Sequence, residues 1–390
     1  MRIMLINLYS DKPNPSYAQI ASELRIRGHS VWYGRKSDIG DLEWHDGVRI
    51  VKITRGPRAV PISLAALPVI SPLLQRLLFF PFMLRLKNDV REHRPDVIQV
   101  NQSKIFIIWF LPLFMPFSTA FVIDWRQIDE RPKRGSFGGV KYGFRRRLRR
   151  VYSMRTFDCA TFLDEAGARQ VMGKDWLKSA VVVPLGVGSH FLTYPTKLMP
   201  VDQTKVHFLY IGTLSRERKL ELLLKAAKVV QNVTSSFQFD IIGPDTSDGF
   251  YQELVNELGI VASVRIKHPV LYDKVPNLVE SYDVAVAYAP EFPADWQYHP
   301  TLKVLEYRAI GRPIIACDFD PNRQIVIPGQ NGLLVKNTVS EIASAMLTFI
   351  NDRQFLKRCS TNAIRMRMGL SWSTVAAMYE RDVYAKIVAD

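Results

Sequence analysis

Cysteine and histidine are scarce in this chain of 390 residues. Its three cysteines, Cys159, Cys317 and Cys359, are far apart and include no Cys-x-x-Cys pair, and its seven histidines show no spacing typical of metal ligands. We therefore predict no zinc site and no other resident metal. Scattered, unpaired cysteines are also typical of a reducing compartment, so we expect the protein in the cytoplasm.

The chain also lacks internal repeats, low-complexity segments and a recognisable secretion signal. Arg2 is followed by a predicted strand over residues 3–9 and then a loop, without a small-residue cleavage site. Short apolar strands alternate with helical stretches, which favours an α/β fold whose parallel sheets are covered on both faces. The length, with 47% hydrophobic residues, suits two domains with a core each.

Acidic residues are too few to balance the basic residues in the first half of the chain, whereas the second half is balanced. Residues 1–200 hold 31 Lys and Arg against 16 Asp and Glu, a net charge of +15, whereas residues 201–390 hold 21 of each. The densest basic run is residues 141–150, and apolar residues at helical spacing form the opposite stripe. This pattern predicts an amphipathic basic helix that packs on its own domain, lies on an anionic bilayer or steers a pyrophosphate-bearing acceptor.

Two stretches of the first half contain few or no charged residues. Residues 105–123 have none, but Pro116 divides them into a predicted helix and a predicted strand of a βαβ unit, so we expect no membrane span there. Residues 72–86 carry Arg76 and Arg85 and predict an interfacial helix whose arginines reach lipid phosphates. A helix buried against the other domain is the alternative.

Residues 300–318 form the most informative stretch. Thr301 can cap a helix that ends at Gly311, and the apolar residues 314–317 predict the strand that follows. Lys303 lies in the first helical turn, where a cation opposes the helix dipole unless an anion binds nearby.

The same stretch predicts a binding site for a nucleoside diphosphate. The free amides of the first turn and the Lys303 ammonium would bind the diphosphate. Glu306 lies three residues further along the same helix face and would accept hydrogen bonds from a sugar diol such as ribose. An ordinary capped helix before a strand is the alternative.

This stretch resembles the nucleotide-sugar helix of retaining glycosyltransferases with the GT-B fold, in particular glycosyltransferase family 4 (group 1). It follows that family's pattern Lys-x-x-Glu-Tyr-x-Ala-x-Gly-x-Pro. Four further segments resemble the family's strands and turns, in the same order: VHFLYIG at 206–212, FDIIG at 239–243, YDVAVAYAP at 282–290 and GQNGLLV at 329–335. Each segment alone is weak evidence for the family, but the order and spacing of all of them together are specific to it.

The resemblance implies an α/β architecture of the GT-B type, with two Rossmann-like, doubly wound domains that face a central cleft. Residues 1–200 are then an acceptor-binding, membrane-facing domain, and residues 201–370 are a domain that binds the nucleotide sugar. Residues 371–390 are predicted to form a helix that crosses back to the first domain.

The implied activity is transfer of a sugar, with retention of configuration, from a UDP- or GDP-sugar to a lipid-linked or envelope polysaccharide acceptor at the membrane surface. The nucleotide sugar is a substrate, so no cofactor is expected. We expect a peripheral protein on the inner face of the cell membrane, and no nucleic-acid partner. A GT-B sugar-nucleotide epimerase and a non-catalytic membrane-binding protein are the alternatives.

The resemblance also assigns roles to individual residues. Catalytic roles fall to Asp124, Lys303 and Arg218. The residues implied in nucleotide-sugar binding are Glu306, Thr301, Leu302, Gly212, Thr213, Tyr298 and Gly243. The residues expected to meet the acceptor or the membrane are Arg145, Arg146, Arg147, Arg149, Arg150 and Arg76.

The chain departs from the family's pattern at two of these positions. Tyr298 stands where many members have a glutamate, and Thr213 stands where they usually have an arginine. We expect Arg216 or Lys219 to supply the missing cation, unless that phosphate contact is absent.

Aspartates at strand ends leave alternatives open. Asp124 is expected to point into the cleft beside Arg126, but a surface pair of these two residues or a turn cap is the alternative. Asp164 is expected to cap the helix that follows it. Asp318 and Asp320 are spelled like a metal-binding Asp-x-Asp motif, but they follow a late strand, so capping is expected.

Overall fold

The computed structural model describes residues 1–7, 15–36, 42–45, 50–54, 86–101, 118–126, 156–173, 180–197, 204–291 and 301–389. The chain divides into two compact units. The first consists of Met1–Leu185 together with Trp372–Asp390, and the second of Gly186–Ser371.

The first unit contains a sheet with the strand order β4-β3-β2-β1-β5-β6-β7-β8. Its described strands are β1 (Arg2–Asn7), β2 (Ser30–Lys36), β3 (Leu42–His45), β4 (Ile50–Thr54), β5 (Val97–Asn101), β6 (Ala120–Trp125), β7 (Cys159–Phe162) and β8 (Ala180–Val182). All pairs are parallel except β2 with β3 and β3 with β4, which are antiparallel.

Helices α1 (Pro15–Ile26) and α2 (Glu165–Met172) belong to this unit. The predicted α2 cap is confirmed, since the Asp164 carboxylate accepts a hydrogen bond of 2.7 Å from the amide of Gly167. The central strands β1 and β5 are buried along nearly their whole length because both faces of a parallel sheet are covered.

The second unit contains an entirely parallel sheet with the order β11-β10-β9-β12-β13-β14. Its strands are β9 (Val206–Ile211), β10 (Phe237–Ile242), β11 (Val264–Lys267), β12 (Val284–Ala287), β13 (Ile314–Cys317) and β14 (Gly332–Val335). Its helices are α3 (Ser189–Leu192), α4 (Glu221–Gln231), α5 (Phe250–Glu257), α6 (Val275–Glu280), α7 (Leu302–Ile310), α8 (Asp320–Arg323), α9 (Val339–Asn351) and α10 (Arg353–Arg365).

Successive residues of the second sheet contribute to two different apolar cores. Phe208 of β9 belongs to the core that includes α4 and α9, and its neighbour Leu209 belongs to the core that includes α7. This alternation follows from the two-residue period of a strand, and it covers the sheet on both faces.

The carboxyl-terminal residues return to the first unit. They form α11 (Trp372–Met378), a π-helical turn (Tyr379–Tyr384) and α12 (Ala385–Ala389). α11 packs on α1, and the Tyr384 hydroxyl donates a hydrogen bond of 2.6 Å to the buried side chain of Gln99.

The boundary between the units lies earlier than the sequence suggests. Residues 186–197 group with the second unit, not with the first as the predicted boundary at residue 200 requires. The reason is packing, because Phe191 of α3 is fully buried in the core that includes α7. The Arg367 guanidinium also donates hydrogen bonds to the carbonyls of Phe191, Leu192 and Tyr194.

Several predictions fall on residues that the structure does not describe. Among them are the interfacial helix over residues 72–86 with Arg76, of which only Leu86 is described, the basic helix over residues 141–150 with its arginines, and Tyr298. Within the described parts of the chain, no helix combines the length and the apolar character needed to cross a bilayer.

Candidate functional site

The chain reverses its winding direction in the second sheet between β9 and β12. In open α/β sheets, ligands bind beyond the carboxyl ends of the strands at such a switch point. Gly212 follows β9 there, and Gly243 follows β10. A Cβ atom on Gly243 would overlap the carbonyl oxygen of Gly212, so the two strand ends can approach this closely only with glycine at position 243.

Helix α7 begins beside these strand ends. The Tyr307 hydroxyl accepts a hydrogen bond of 3.0 Å from the amide of Ile211, which fixes the helix against β9. Gly311 ends the helix in the left-handed conformation with φ of 78°, as predicted.

Thr301 occupies the N-cap position of α7 with extended backbone angles, but the predicted capping bond is absent. Its hydroxyl is buried and has no hydrogen-bond partner among the described residues. The cap prediction was wrong in this respect, because the Thr301 side chain does not turn back onto the first-turn amides. Leu302, the first residue of the helix, is half-buried.

Lys303 is buried at the start of α7, with 9% of its surface exposed. Its ammonium lies 3.5 Å from the carbonyl oxygen of Tyr288 and 4.1 Å from the centre of the Tyr210 ring. Burial, and then the nearby charge of Arg218, hold the pKa of Lys303 well below its usual value. No carboxylate of the described chain forms an ion pair with it. An anion at this position would therefore lower the free energy of the buried Lys303 charge.

The cation site also contains Gly212, because a Cβ atom there would lie 3.1 Å from the Lys303 Nζ and 3.0 Å from the Tyr210 hydroxyl. A side chain larger than hydrogen would crowd both groups. The structure thus brings together four predicted site residues, Lys303, Arg218, Gly212 and Gly243, around the ends of β9 and β10.

Glu306 lies on α7 three residues after Lys303. Its carboxylate accepts a hydrogen bond of 2.9 Å from the hydroxyl of Tyr272, which is in the 3-10 turn Tyr272–Lys274. Burial raises the pKa of Glu306, while the Tyr272 hydrogen bond and the Lys303 charge oppose that rise. A partly desolvated carboxylate with an engaged oxygen is suited to accept further hydrogen bonds from hydroxyl groups.

The candidates for the missing cation near Thr213 lie in or next to the 3-10 turn Arg216–Arg218. The Arg216 guanidinium stacks 3.4 Å from the centre of the Phe250 ring. Lys219 follows in the left-handed conformation with φ of 48°. Of these side chains, Arg218 is the one whose charge acts on both Lys303 and Tyr210.

Asp318 and Asp320 do not cap α8, contrary to the prediction. Phe319 occupies the N-cap position, and no side chain caps the helix. Both carboxylates pair with the Arg323 guanidinium instead, at 2.7 Å and 2.6 Å, because that residue follows one helical turn later. Within the described ranges, no group of three or more His, Cys, Asp or Glu residues could hold a metal ion.

Asp124 is the last residue but one of β6 in the first unit, where its side chain is fully buried. Its carboxylate pairs with the Arg126 guanidinium at 2.6 Å and accepts hydrogen bonds from Thr161 at 2.9 Å and Gln99 at 3.3 Å. The Asp124–Arg126 pair was among the open alternatives, although it is buried and not at the surface. A catalytic role for Asp124 stays a prediction.

Sequence reasoning missed three tyrosines of the site in the second unit. Tyr210 and Tyr288 have buried hydroxyls without a hydrogen-bond partner in the described structure, and Tyr272 contacts Glu306. A tyrosine in an apolar strand is a detectable signal for the first two, because its hydroxyl needs a partner when buried. The contact of Tyr272 had no signal in the sequence, since it joins residues 34 positions apart.

Comparison with known proteins finds a sequence family that resembles part of the chain. Residues 199–366 match the family model described as "Glycosyl transferases group 1". The chain is 25% identical over 186 residues to a D-inositol 3-phosphate glycosyltransferase of Rhodococcus opacus, which is 45% of this chain and 40% of that relative. It is 22% identical over 156 residues to the alpha-D-kanosaminyltransferase of Streptomyces kanamyceticus, which is 40% of this chain and 39% of that relative. The chain thus matches about two fifths of the length of these curated relatives.

Solved structures resemble the whole chain. A sucrose-phosphate synthase from Thermosynechococcus elongatus superposes with a TM-score of 0.70 at 18% identity, over 100% of both chains. The Anabaena protein HepE, solved in complex with UDP and glucose, superposes with a TM-score of 0.67 at 16% identity, over 99% of this chain and 100% of that one. The predicted fold class is confirmed: the chain has the GT-B fold of two Rossmann-like units, and its residues 199–366 match the group 1 glycosyl transferases.

Proposed function

We propose that this chain is a retaining glycosyltransferase that takes a sugar from a UDP- or GDP-sugar. One observation carries the proposal: Lys303 is buried at the first turn of α7, beside the charge of Arg218, and forms no ion pair with a carboxylate of the described structure. A diphosphate would neutralise the Lys303 charge and accept hydrogen bonds from the helix terminus. Glu306, three residues on, would accept hydrogen bonds from the ribose hydroxyls.

In the proposed reaction, the bond between the anomeric carbon of the sugar and the diphosphate oxygen breaks. Negative charge develops on the departing oxygen, the oxygen of an acceptor hydroxyl forms the new glycosidic bond, and the hydroxyl proton passes to the departing diphosphate. Lys303 and Arg218 stabilise the departing diphosphate electrostatically, in a site that is already desolvated. Retention of configuration and membership of family 4 are part of the proposal and rest on the resemblance of residues 300–318.

The named relatives favour transfer over epimerisation. One is named a glycosyltransferase and another a kanosaminyltransferase, and HepE was solved with UDP and glucose. These names describe those proteins, but they agree with a nucleotide-sugar donor for the site built around Lys303. We therefore place sugar-nucleotide epimerisation second.

We further propose that the acceptor is lipid-linked or part of an envelope polysaccharide, and that the protein works as a peripheral protein on the inner face of the membrane. Support comes from the net charge of +15 in residues 1–200 and the basic run at residues 141–150. Anionic lipid surfaces attract such segments by about 1 kcal/mol for each basic residue.

Thermal unfolding in the presence of UDP- and GDP-sugars tests the donor proposal. A ligand at one hundred times its dissociation constant stabilises the folded state by about 2.7 kcal/mol, so the correct donor raises the unfolding temperature. The Glu306→Ala variant should fold and should lose about 1 to 3 kcal/mol of that binding free energy. If none of the UDP- and GDP-sugars raises the unfolding temperature of the parent protein, the proposal is overturned.

A further inference from the structure

Tyr272 holds the Glu306 carboxylate through a hydrogen bond between two different elements of the fold. The Tyr272 hydroxyl donates to Oε1 of Glu306 at 2.9 Å, which joins the turn after β11 to helix α7. The second oxygen of Glu306 has no hydrogen bond to a protein group of the described chain that would compete with a ligand. One carboxylate oxygen is thus fixed by the protein.

The Tyr272 ring is itself held in place by α3. It packs edge-on against the His190 ring with 5.2 Å between ring centres, and it contacts the Phe191 ring at 5.4 Å. Phe191 is fully buried, so one part of the Tyr272 ring rests on a rigid surface, while 42% of the residue is exposed. A side chain that is held by ring packing and by a hydrogen bond at its tip can orient a ligand-binding group with little loss of entropy.

The Tyr272 hydroxyl also has a defined hydrogen-bond direction. Burial raises the pKa of Tyr272, so its hydroxyl remains protonated, and the backbone amide of Gly188 acts in the opposite sense on that pKa. An amide that faces the hydroxyl oxygen leaves the hydroxyl proton for Glu306. A side chain on Gly188 would overlap the His190 ring, which shows how closely this segment packs.

We infer that Tyr272 is a positioning residue for recognition of the nucleotide's ribose, because it orients Glu306 toward the 2′ and 3′ hydroxyls. The inference rests on the proposed nucleotide-sugar site. Tyr272 itself need not contact the nucleotide. Its contribution to binding therefore exists only when the ligand carries the hydroxyls that Glu306 accepts.

This dependence can be measured in a thermodynamic cycle. The parent protein and one variant are each measured with a ribonucleotide and with its dideoxy counterpart. The variant Tyr272→Phe removes the hydroxyl but retains the ring that packs on His190 and Phe191. The ligands are UDP and GDP, each paired with its 2′,3′-dideoxy counterpart, and binding is measured by calorimetry. Tyr194→Phe is the matched control, since the Tyr194 hydroxyl donates to the Glu280 carboxylate at 2.8 Å elsewhere in the same unit.

We expect the parent protein to prefer the ribonucleotide over its dideoxy counterpart by about tenfold or more. Tyr272→Phe should weaken binding of the ribonucleotide about three- to tenfold and leave binding of the dideoxy nucleotide unchanged. The control variant should leave both affinities unchanged. Equal weakening for both ligands, or no weakening for either, overturns the inference.

A pH profile adds a readout that a purely structural role would not change. Burial raises the pKa of Glu306 and the Tyr272 hydrogen bond opposes this rise, so loss of the hydroxyl raises that pKa further. Because Glu306 must be ionised to accept two ribose hydroxyls, the acidic limb of ribonucleotide affinity should move to higher pH in Tyr272→Phe. Lys303 on the same helix also acts on this carboxylate, and the His190 ring packs against Tyr272. The dideoxy nucleotide reports their effect separately, since it does not use Glu306.

The two proposals fail in distinguishable ways. A parent protein that binds neither UDP nor GDP overturns the proposed function and this inference together. A parent protein that prefers the ribonucleotide, with a Tyr272→Phe variant that behaves identically, overturns the role of Tyr272 alone.

Discussion

At the residue scale, Lys303 is the position where function and stability conflict. Its cation is buried beside Arg218, and burial lowers its pKa, so its charge is unfavourable in the ligand-free protein. We predict that Lys303→Met raises the stability of the ligand-free protein by about 1 to 2 kcal/mol. The same variant should lose most of the stabilisation that UDP or GDP gives the parent.

The pH dependence of this gain follows from linkage. Because the pKa of Lys303 is lower in the folded chain than in the unfolded chain, the unfolded chain binds more protons. The destabilisation is therefore complete below the folded pKa and fades as pH rises toward the unfolded value, about 10.4. Denaturant unfolding at a series of pH values should show the advantage of Lys303→Met shrinking with rising pH. Lys267→Met serves as control, because Lys267 has a carboxylate partner in Asp240, and its variant should gain no stability.

A second prediction at this scale concerns Asp318 and Asp320. The Arg323 guanidinium pairs with both carboxylates and holds the pKa of Asp318 below its usual value, so a positive partner is already present. We expect Asp318→Asn to leave sugar transfer within about twofold of the parent rate. Loss of transfer on adding EDTA, with recovery on adding Mg²⁺, would contradict this expectation.

The sequence was informative at this scale where a residue violated a local rule. Lys303 opposes the dipole of its own helix, and that conflict is the reason for predicting an anion at the first turn. Asp124 violates no such rule. A carboxylate at a strand end is equally compatible with a substrate contact and with a buried pair, and the partners that decide, Gln99 and Thr161, come from neighbouring strands.

At the element scale, the close approach of β9 and β10 depends on glycine. A Cβ atom on Gly243 has no room beside the Gly212 carbonyl, so we predict that Gly243→Ala destabilises the protein by about 3 kcal/mol. Gly249→Ala is the control, since Gly249 has a φ of 81° but open space around it. That variant should cost only about 1 kcal/mol, from its left-handed backbone. Equal losses in chemical denaturation would show that backbone conformation, and not crowding, requires Gly243.

Most elements near the site were predictable because apolar runs and caps coincide there. The strand over residues 314–317 and the helix end at Gly311 were predicted at the positions observed. The hairpin of β3 and β4 was not, because its two short strands carry charges and lack a long apolar run. α3 escaped prediction for a related reason: its four residues are too few to show helical periodicity.

At the scale of the whole molecule, the charge excess of residues 1–200 predicts a measurable separation of roles. Changing Arg145, Arg146, Arg147, Arg149 and Arg150 to Gln should reduce flotation with anionic vesicles but leave binding of UDP or GDP within about twofold of the parent. Binding of the parent to vesicles should weaken at high salt without vanishing, since salt screens charges but not apolar contacts. Equal flotation of the variant and the parent would assign these arginines to another anionic partner.

The number of domains followed from length and alternation of elements, but the boundary did not. The segment before β9 has few apolar residues, and these could pack on either unit. Only the burial of Phe191 in the core that includes α7 assigns the segment to the second unit. Packing between residues more than one hundred positions apart leaves little trace in a single sequence.

The first unit is built from two separated pieces of the chain, and this order has a consequence during synthesis. Asp124 and Gln99 leave the ribosome long before Tyr384, which bonds Gln99, and Tyr379, whose hydroxyl lies 3.4 Å from the Asp124 carboxylate. The second unit, one continuous segment from Gly186 to Ser371, can complete its core first. The nascent first unit therefore lacks the Tyr384 partner of Gln99 while nearly two hundred residues are translated, so we expect a chaperone that shields incomplete domains to bind it in that interval.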